Sequence, residues 1–87
     1  MKTIWKYKLI PRSTYIEIPK GAKFLHLDIQ NQDICLWFQV DPENEIEIRS
    51  FEIIGTGWEF KDDNLNYIGT INNGLYIWHI YEKINNK

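Results

Sequence analysis

Apolar residues along this chain either alternate with polar ones or run in short blocks rich in Ile, Thr and aromatic side chains, and nowhere do they repeat at helical spacing. That pattern predicts about seven β-strands. Segment 3–9 puts Trp5, Tyr7 and Leu9 on one face and Lys6 and Lys8 on the other. Pro11-Arg12-Ser13 breaks it, and 15–18 is a short extended piece ended by Pro19, whose missing N–H confines it to a strand end or an edge. Beyond the Pro19-Lys20-Gly21 turn, 22–29 sets Leu25, Leu27 and Ile29 against Phe24, His26 and Asp28. Asn31-Gln32-Asp33 has hairpin length, after which Ile34, Leu36, Phe38 and Val40 alternate with Cys35, Trp37 and Gln39. This strand is apolar on both faces for most of its length and is expected to be central.

Asp41-Pro42-Glu43-Asn44 is a turn in which Pro presets φ and Asp bonds the backbone ahead of it. Segment 45–54 contains a phase error: Ile46 and Ile48 set one parity, Phe51 and Ile53 the other. A bulge near Arg49 and Ser50 would bring all four to the core. Asp62-Asp63-Asn64 is a polar loop, and 61–64 has room for one helical turn. Segments 65–71 and 75–83 form a hairpin across Asn72-Asn73-Gly74, and 84–87 are expected to fray. Seven short strands without a crossover helix predict an all-β antiparallel meander, packed as a small sandwich or curled into a partly closed barrel, with 1–87 as one domain. Ile-Gly-Thr occurs twice, at Ile54-Gly55-Thr56 and Ile68-Gly69-Thr70, and glycine inside a strand marks a bulge, a bend or a close approach.

Composition adds constraints. At 87 residues the core needs large side chains, and four Trp, five Tyr and four Phe provide them. Formal net charge is −2 with the basic residues dispersed, which argues against binding duplex nucleic acid and against mimicking it. Lys2, Lys6, Lys8, Arg12, Lys20 and Lys23 do gather in the first quarter, where acidic residues are scarce. The single Cys35 excludes an internal disulfide and is expected in the core. No signal peptide or membrane-length apolar run is present, so the protein is expected to be soluble and cytoplasmic.

Candidate chemistry is sparse. Gly55-Thr56-Gly57 lacks the length and the Gly-Lys-Ser/Thr ending of a phosphate loop; its backbone N–H groups could form a small anion nest with Trp58 beside it as a stacking platform. His79 shares a face with Ile77 and Tyr81 and reads as an internal hydrogen-bonded histidine or a ligand contact. Gly55, Thr56, Gly57, Trp58 and His79 are therefore the candidate ligand-binding residues. Catalysis would need His79, His26, Asp28, Cys35 or Glu59 to converge from different strands, which spacing does not indicate, so no catalytic residue, metal or cofactor is assigned. Trp5, Trp37, Trp58 and Trp78 exceed what a small core easily hides, which favours binding over catalysis.

The order Ile18-Pro19-Lys20-Gly21-Ala22, Leu36-Trp37, Ile54-Gly55-Thr56-Gly57, Ile68-Gly69-Thr70, Trp78-His79-Ile80 resembles a family of small proteins encoded by bacteriophages and prophages, with a Pro-x-Gly-Ala start, a Gly-Thr-Gly centre and a Trp-His ending. The resemblance covers about 18–82, and Trp58 departs from it, standing where a polar residue or His is expected. It implies a β fold and a phage setting more than a mechanism. The leading expectation is a non-enzymatic accessory protein that sequesters a nucleotide-like host immune signal, usually as a homo-oligomer because one sandwich offers little concave volume. The alternatives are a protein inhibitor of a host defence nuclease or signalling enzyme, and a virion structural or assembly protein.

Overall fold

In the computed structural model, which describes residues 1–84, each predicted strand is present: β1 (Thr3–Leu9), β2 (Ser13–Pro19), β3 (Lys23–Gln30), β4 (Asp33–Val40), β5 (Ile46–Gly55), β6 (Leu65–Asn72) and β7 (Ile77–Lys83). The described residues contain no helix, and 61–64 run without the helical turn for which they have room. Of the tail expected to fray, 85–87 lie outside the described residues. β4 takes the predicted central place in a three-stranded sheet ordered β1-β4-β3, and the second sheet is ordered β2-β5-β7-β6. All pairs are antiparallel.

The architecture is a sandwich, and the sheets do not close into a barrel. Meander-like neighbours occur only at the β3–β4 and β6–β7 hairpins; the remaining connections cross between sheets or, from β5 to β6, step over β7. At the β3–β4 turn Asn31 and Gln32 both have positive φ, 52° and 69°, as a two-residue type I′ hairpin loop requires. One seam between the sheets joins β1 to β2, where the Tyr7 hydroxyl donates to the Glu17 carbonyl at 3.2 Å. At the other, β3 faces β6, and Leu27 reaches the backbone at Gly69.

Two bulges flank that second seam, between Phe24 and His26 in β3 and between Tyr67 and Gly69 in β6. The first changes the expected parity of 22–29. Leu25 is expelled to the surface, and Phe24 turns inward to pack edge-on against Phe38, with ring centroids 5.9 Å apart. The bulge expected at Arg49 and Ser50 is absent, because β2 and β5 pair without interruption from Ser13↔Glu52 to Pro19↔Ile46. The phase error is resolved by side chains instead. Ile46 and Ile48 stay exposed on the outer face, while Arg49 points between the sheets.

That inward charge is fully engaged. The Arg49 guanidinium lies 5.1 Å from the Phe38 ring centroid. Nε and Nη2 donate to the two Glu82 carboxylate oxygens at 2.6 and 2.8 Å, and Nη1 donates to the Ala22 carbonyl at 2.8 Å. Its hydrogen bond to Glu82 raises the arginine pKa further above its ordinary value. A bidentate pair of this kind is strong, and losing one member strands the other in a half-buried place. Glu82→Leu is therefore expected to lower stability by about 1–3 kcal/mol, while the double change Arg49→Met with Glu82→Leu recovers most of it. Urea denaturation of both variants measures this.

Candidate functional site

The two Ile-Gly-Thr tripeptides converge, and His79 is where they meet. His79 stands opposite Ile54 in β5 and Thr70 in β6, on the outer face of the four-stranded sheet. Thr56 Oγ1 lies 2.7 Å from His79 Nε2, and Thr70 Oγ1 lies 3.0 Å from Nδ1. The Tyr67 hydroxyl bonds Thr70 Oγ1, and Thr56 Oγ1 reaches the Ile77 carbonyl at 3.5 Å. One direction satisfies the chain: Tyr67 donates to Thr70, Thr70 to Nδ1, Nε2–H to Thr56, and Thr56 to the Ile77 carbonyl. Both ring nitrogens of His79 are thus occupied from within the molecule.

Gly55, Thr56, Gly57 and Trp58 form one turn, closed by the Trp58 N–H donating to the Gly55 carbonyl at 3.0 Å. Gly57 has φ 91°, the positive value that the third position of a type II turn demands. The Thr56 N–H donates to the Ile77 carbonyl at 3.2 Å, so the middle donor of the candidate nest is spent on the fold. Trp58 folds back across Gly55 and meets Trp78 edge-on, with centroids 5.4 Å apart, and the Arg12 guanidinium covers its ring at 4.7 Å. Trp78 and His79 are successive residues of one strand and point to opposite faces. Trp58, on Trp78, and Thr56, on His79, are therefore separated by the sheet, and the five candidate residues do not line one pocket.

A second grouping lies on the outer face of the three-stranded sheet. Lys6, Trp37 and His26 stand in one row across β1, β4 and β3, with Lys8, Cys35 and Asp28 in the next. The His26 and Trp37 ring centroids are 5.7 Å apart. Lys23 stands one row further on, opposite Gln39. His26 Nε2 is 3.3 Å from Asp28 Oδ2. The Asp28 carboxylate accepts the Ile29 N–H at 2.8 Å, and that bond, with the one to His26, holds its pKa below the usual value. Lys6 Nζ donates to Gln30 across β4, and Lys8 lies 3.9 Å from Asp33.

Cys35 is buried as expected, but under this outer row and not in the core between the sheets. Burial raises its thiol pKa, with Lys6 and Lys8 only partly opposing, so His26, Asp28 and Cys35 are neighbours without an activated thiolate. Glu59 lies in the β5–β6 loop beside Phe60, away from them. Among the described residues no group of three or more His, Cys, Asp and Glu side chains could hold a metal ion. The row around Trp37 was missed in sequence because it assembles from strands paired at long range; the lysine parity of β1 and the Cys-x-Trp parity of β4 were its only local signals.

These features define a small two-sheet β-domain with a threonine-clamped histidine on one outer face and a lysine-flanked tryptophan on the other. A family profile for a domain of unknown function, DUF7352, matches residues 1–87, and the chain belongs to that family. No curated protein and no solved structure matches it. No helix among the described residues is long and apolar enough to cross a membrane.

The turn supports a direct check. A Cβ at Gly55 would sit 2.9 Å from Cε2 and 3.0 Å from Nε1 of Trp58, so Gly55→Ala must push the indole off Trp78. Overpacking of this kind costs about 1–3 kcal/mol, and the near-ultraviolet circular dichroism of the paired tryptophans should collapse with it. Gly69→Ala meets only the flexible Leu27 Cδ2 at 3.0 Å and should cost less.

Proposed function

We propose that this domain is a non-enzymatic accessory binding protein of the bacteriophage type, acting in the host cytoplasm, whose ligand is a nucleotide-like anion. The observation that supports this reading is the Lys6–Trp37–His26 row. An indole on a flat sheet face stacks with a base of any identity, and ammonium groups beside it attract phosphate. Lys6, Lys8 and Lys23 share this face with only Asp28 and Asp33 as acidic neighbours, in a chain whose net charge is −2. On this reading the ligand surface moves from Gly55, Thr56, Gly57, Trp58 and His79, among which the Thr56 N–H and hydroxyl and both His79 ring nitrogens serve the fold, to the opposite sheet. Sequestration of a host immune signal is the biological form of this reading, with a homo-oligomer enlarging the shallow face.

A protein inhibitor of a host defence nuclease or signalling enzyme is the second reading, favoured by Tyr15, Ile46 and Ile48, which are all exposed on the outer face of the four-stranded sheet. Calorimetry with cyclic and linear nucleotides separates the two. Saturable binding is expected, weakened roughly tenfold or more by Trp37→Leu, the scale of one base–aromatic stack, and weakened also by Lys6→Ala. Uniformly absent binding by folded protein would refute the nucleotide reading. Inhibition of a host enzyme that is lost in Ile48→Asp and kept in Trp37→Leu would establish the other.

A further inference from the structure

At one open end of the sandwich the β1–β2 connection and the β3–β4 and β6–β7 hairpins surround a cleft of about 260 Å³. Its wall is apolar on one side and polar at the rim: Leu9, Ile34 and Trp78 are buried there, Ile10, Leu75 and Tyr76 remain largely exposed around it, and Lys8, Gln32, Asp33 and Asn73 complete it. Loops rarely carry three large apolar side chains to water around one opening unless something covers them.

Trp78 supplies an independent observation. The residue is only 7% exposed, and its buried indole Nε1–H has no hydrogen-bond acceptor. Leaving such a donor unpaired costs about 1–3 kcal/mol, and buried tryptophans normally find a partner. Its ring neighbours are Trp58, edge-on at 5.4 Å, and Tyr76, tilted at 5.3 Å. Neither contact supplies an oxygen to the indole nitrogen. Tyr76 is in ring contact with Trp78 yet more than half exposed, two residues beyond Gly74 with its φ of 96°. Both Tyr76 and Trp78 line the cleft.

We propose that this cleft binds a small, flat, mainly apolar molecule carrying one carbonyl or ring-nitrogen acceptor, which takes the Trp78 indole proton. The volume accommodates one or two fused rings. The site's aromatic floor is distinct from that of the platform proposed above, because Trp78 points between the sheets and Trp37 points away from them, and the two meet only at Lys8 and Asp33 on the rim. The two therefore stand or fall independently.

The indole protons make this directly testable. In ¹⁵N-labelled protein four tryptophan indole resonances are expected, with Trp78 assigned through Trp78→Phe. Benzamide, a ring with a carbonyl acceptor, should move the Trp78 resonance downfield in a saturable manner and leave that of Trp37 in place. Toluene, the ring without the acceptor, should bind about three- to tenfold more weakly, the value of one hydrogen bond, and produce no downfield shift. In Trp78→Phe the preference for benzamide should vanish; should that variant not fold, the comparison of the two probes in the unaltered protein decides alone. The proposal is overturned if the resonance stays put with benzamide, or if both probes move it equally. It is also overturned if the resonance starts upfield and moves downfield only in Trp58→Leu, which would place the proton against the Trp58 ring.

Discussion

Phe38 and Phe51, one from each sheet and both fully buried, meet with ring centroids 6.3 Å apart, and the two sheets are held in register around that contact. A domain this small has little interior, so its core must be made from few, large side chains. Phe38 serves three strands besides its own. Tyr7 of β1 and Phe24 of β3 pack edge-on against it at 6.0 and 5.9 Å, and Arg49 of β5 covers it. Each of these neighbours leads outward to a closure. Tyr7 continues to the β1–β2 seam through Glu17, and Arg49 ties β7 through Glu82 and the β2–β3 connection through Ala22. The β3 bulge exists because Phe24 must reach this ring, which ordinary alternation would deny it.

Strand positions were legible in the sequence because parity and turn chemistry are local. The doubly apolar run 34–40 could only be central, and Asn31-Gln32 and Asn72-Asn73-Gly74 could only be turns. Both glycines of the repeated tripeptide mark close approaches, of Trp58 at Gly55 and of Leu27 at Gly69. What could not be read was anything decided by a distant partner. The phase error in β5 admits two solutions, a bulge or an inward polar residue. The second wins because Glu82, 33 positions away, satisfies Arg49. The inversion of Phe24 and Leu25 likewise depends on Phe38, and the order β2-β5-β7-β6 depends on pairings no local pattern encodes.

The candidate site shows the same division. Sequence proximity placed Trp58 beside Gly55-Thr56-Gly57, and that holds, but its ring serves the inner side of the sheet. His79 belongs with the threonines of both tripeptides on the outer side. The repeat has one physical role at both copies: glycine admits a side chain against the inner backbone, and the next residue, of opposite parity, presents a hydroxyl to His79 outside. Such a two-sided device stiffens the β5–β7–β6 portion of the sheet and uses up its polar groups. A residue whose hydrogen bonds are all answered internally is a poor ligand contact, because binding must first break them.

Shape then limits where binding can occur. The domain measures 41 × 34 × 15 Å, and two stacked sheets already occupy about 10 Å of that thickness between their backbones. The interior is filled by Phe38, Phe51, Ile18, Leu36, Ile53 and Ile80, all essentially inaccessible, leaving no room for a ligand between the sheets. A partner can therefore engage only a face, an edge or an open end. Of the two outer faces, the one around His79 is internally saturated, whereas the one around Trp37 sets an indole among ammonium groups on the exposed side of the sheet. Of the ends, the one beside Trp78 holds a donor with nothing to receive it. On the binding reading proposed above, specificity comes from side chains standing on the sheet and from loops meeting at its rim, because the packed interior offers no enclosed pocket among these residues.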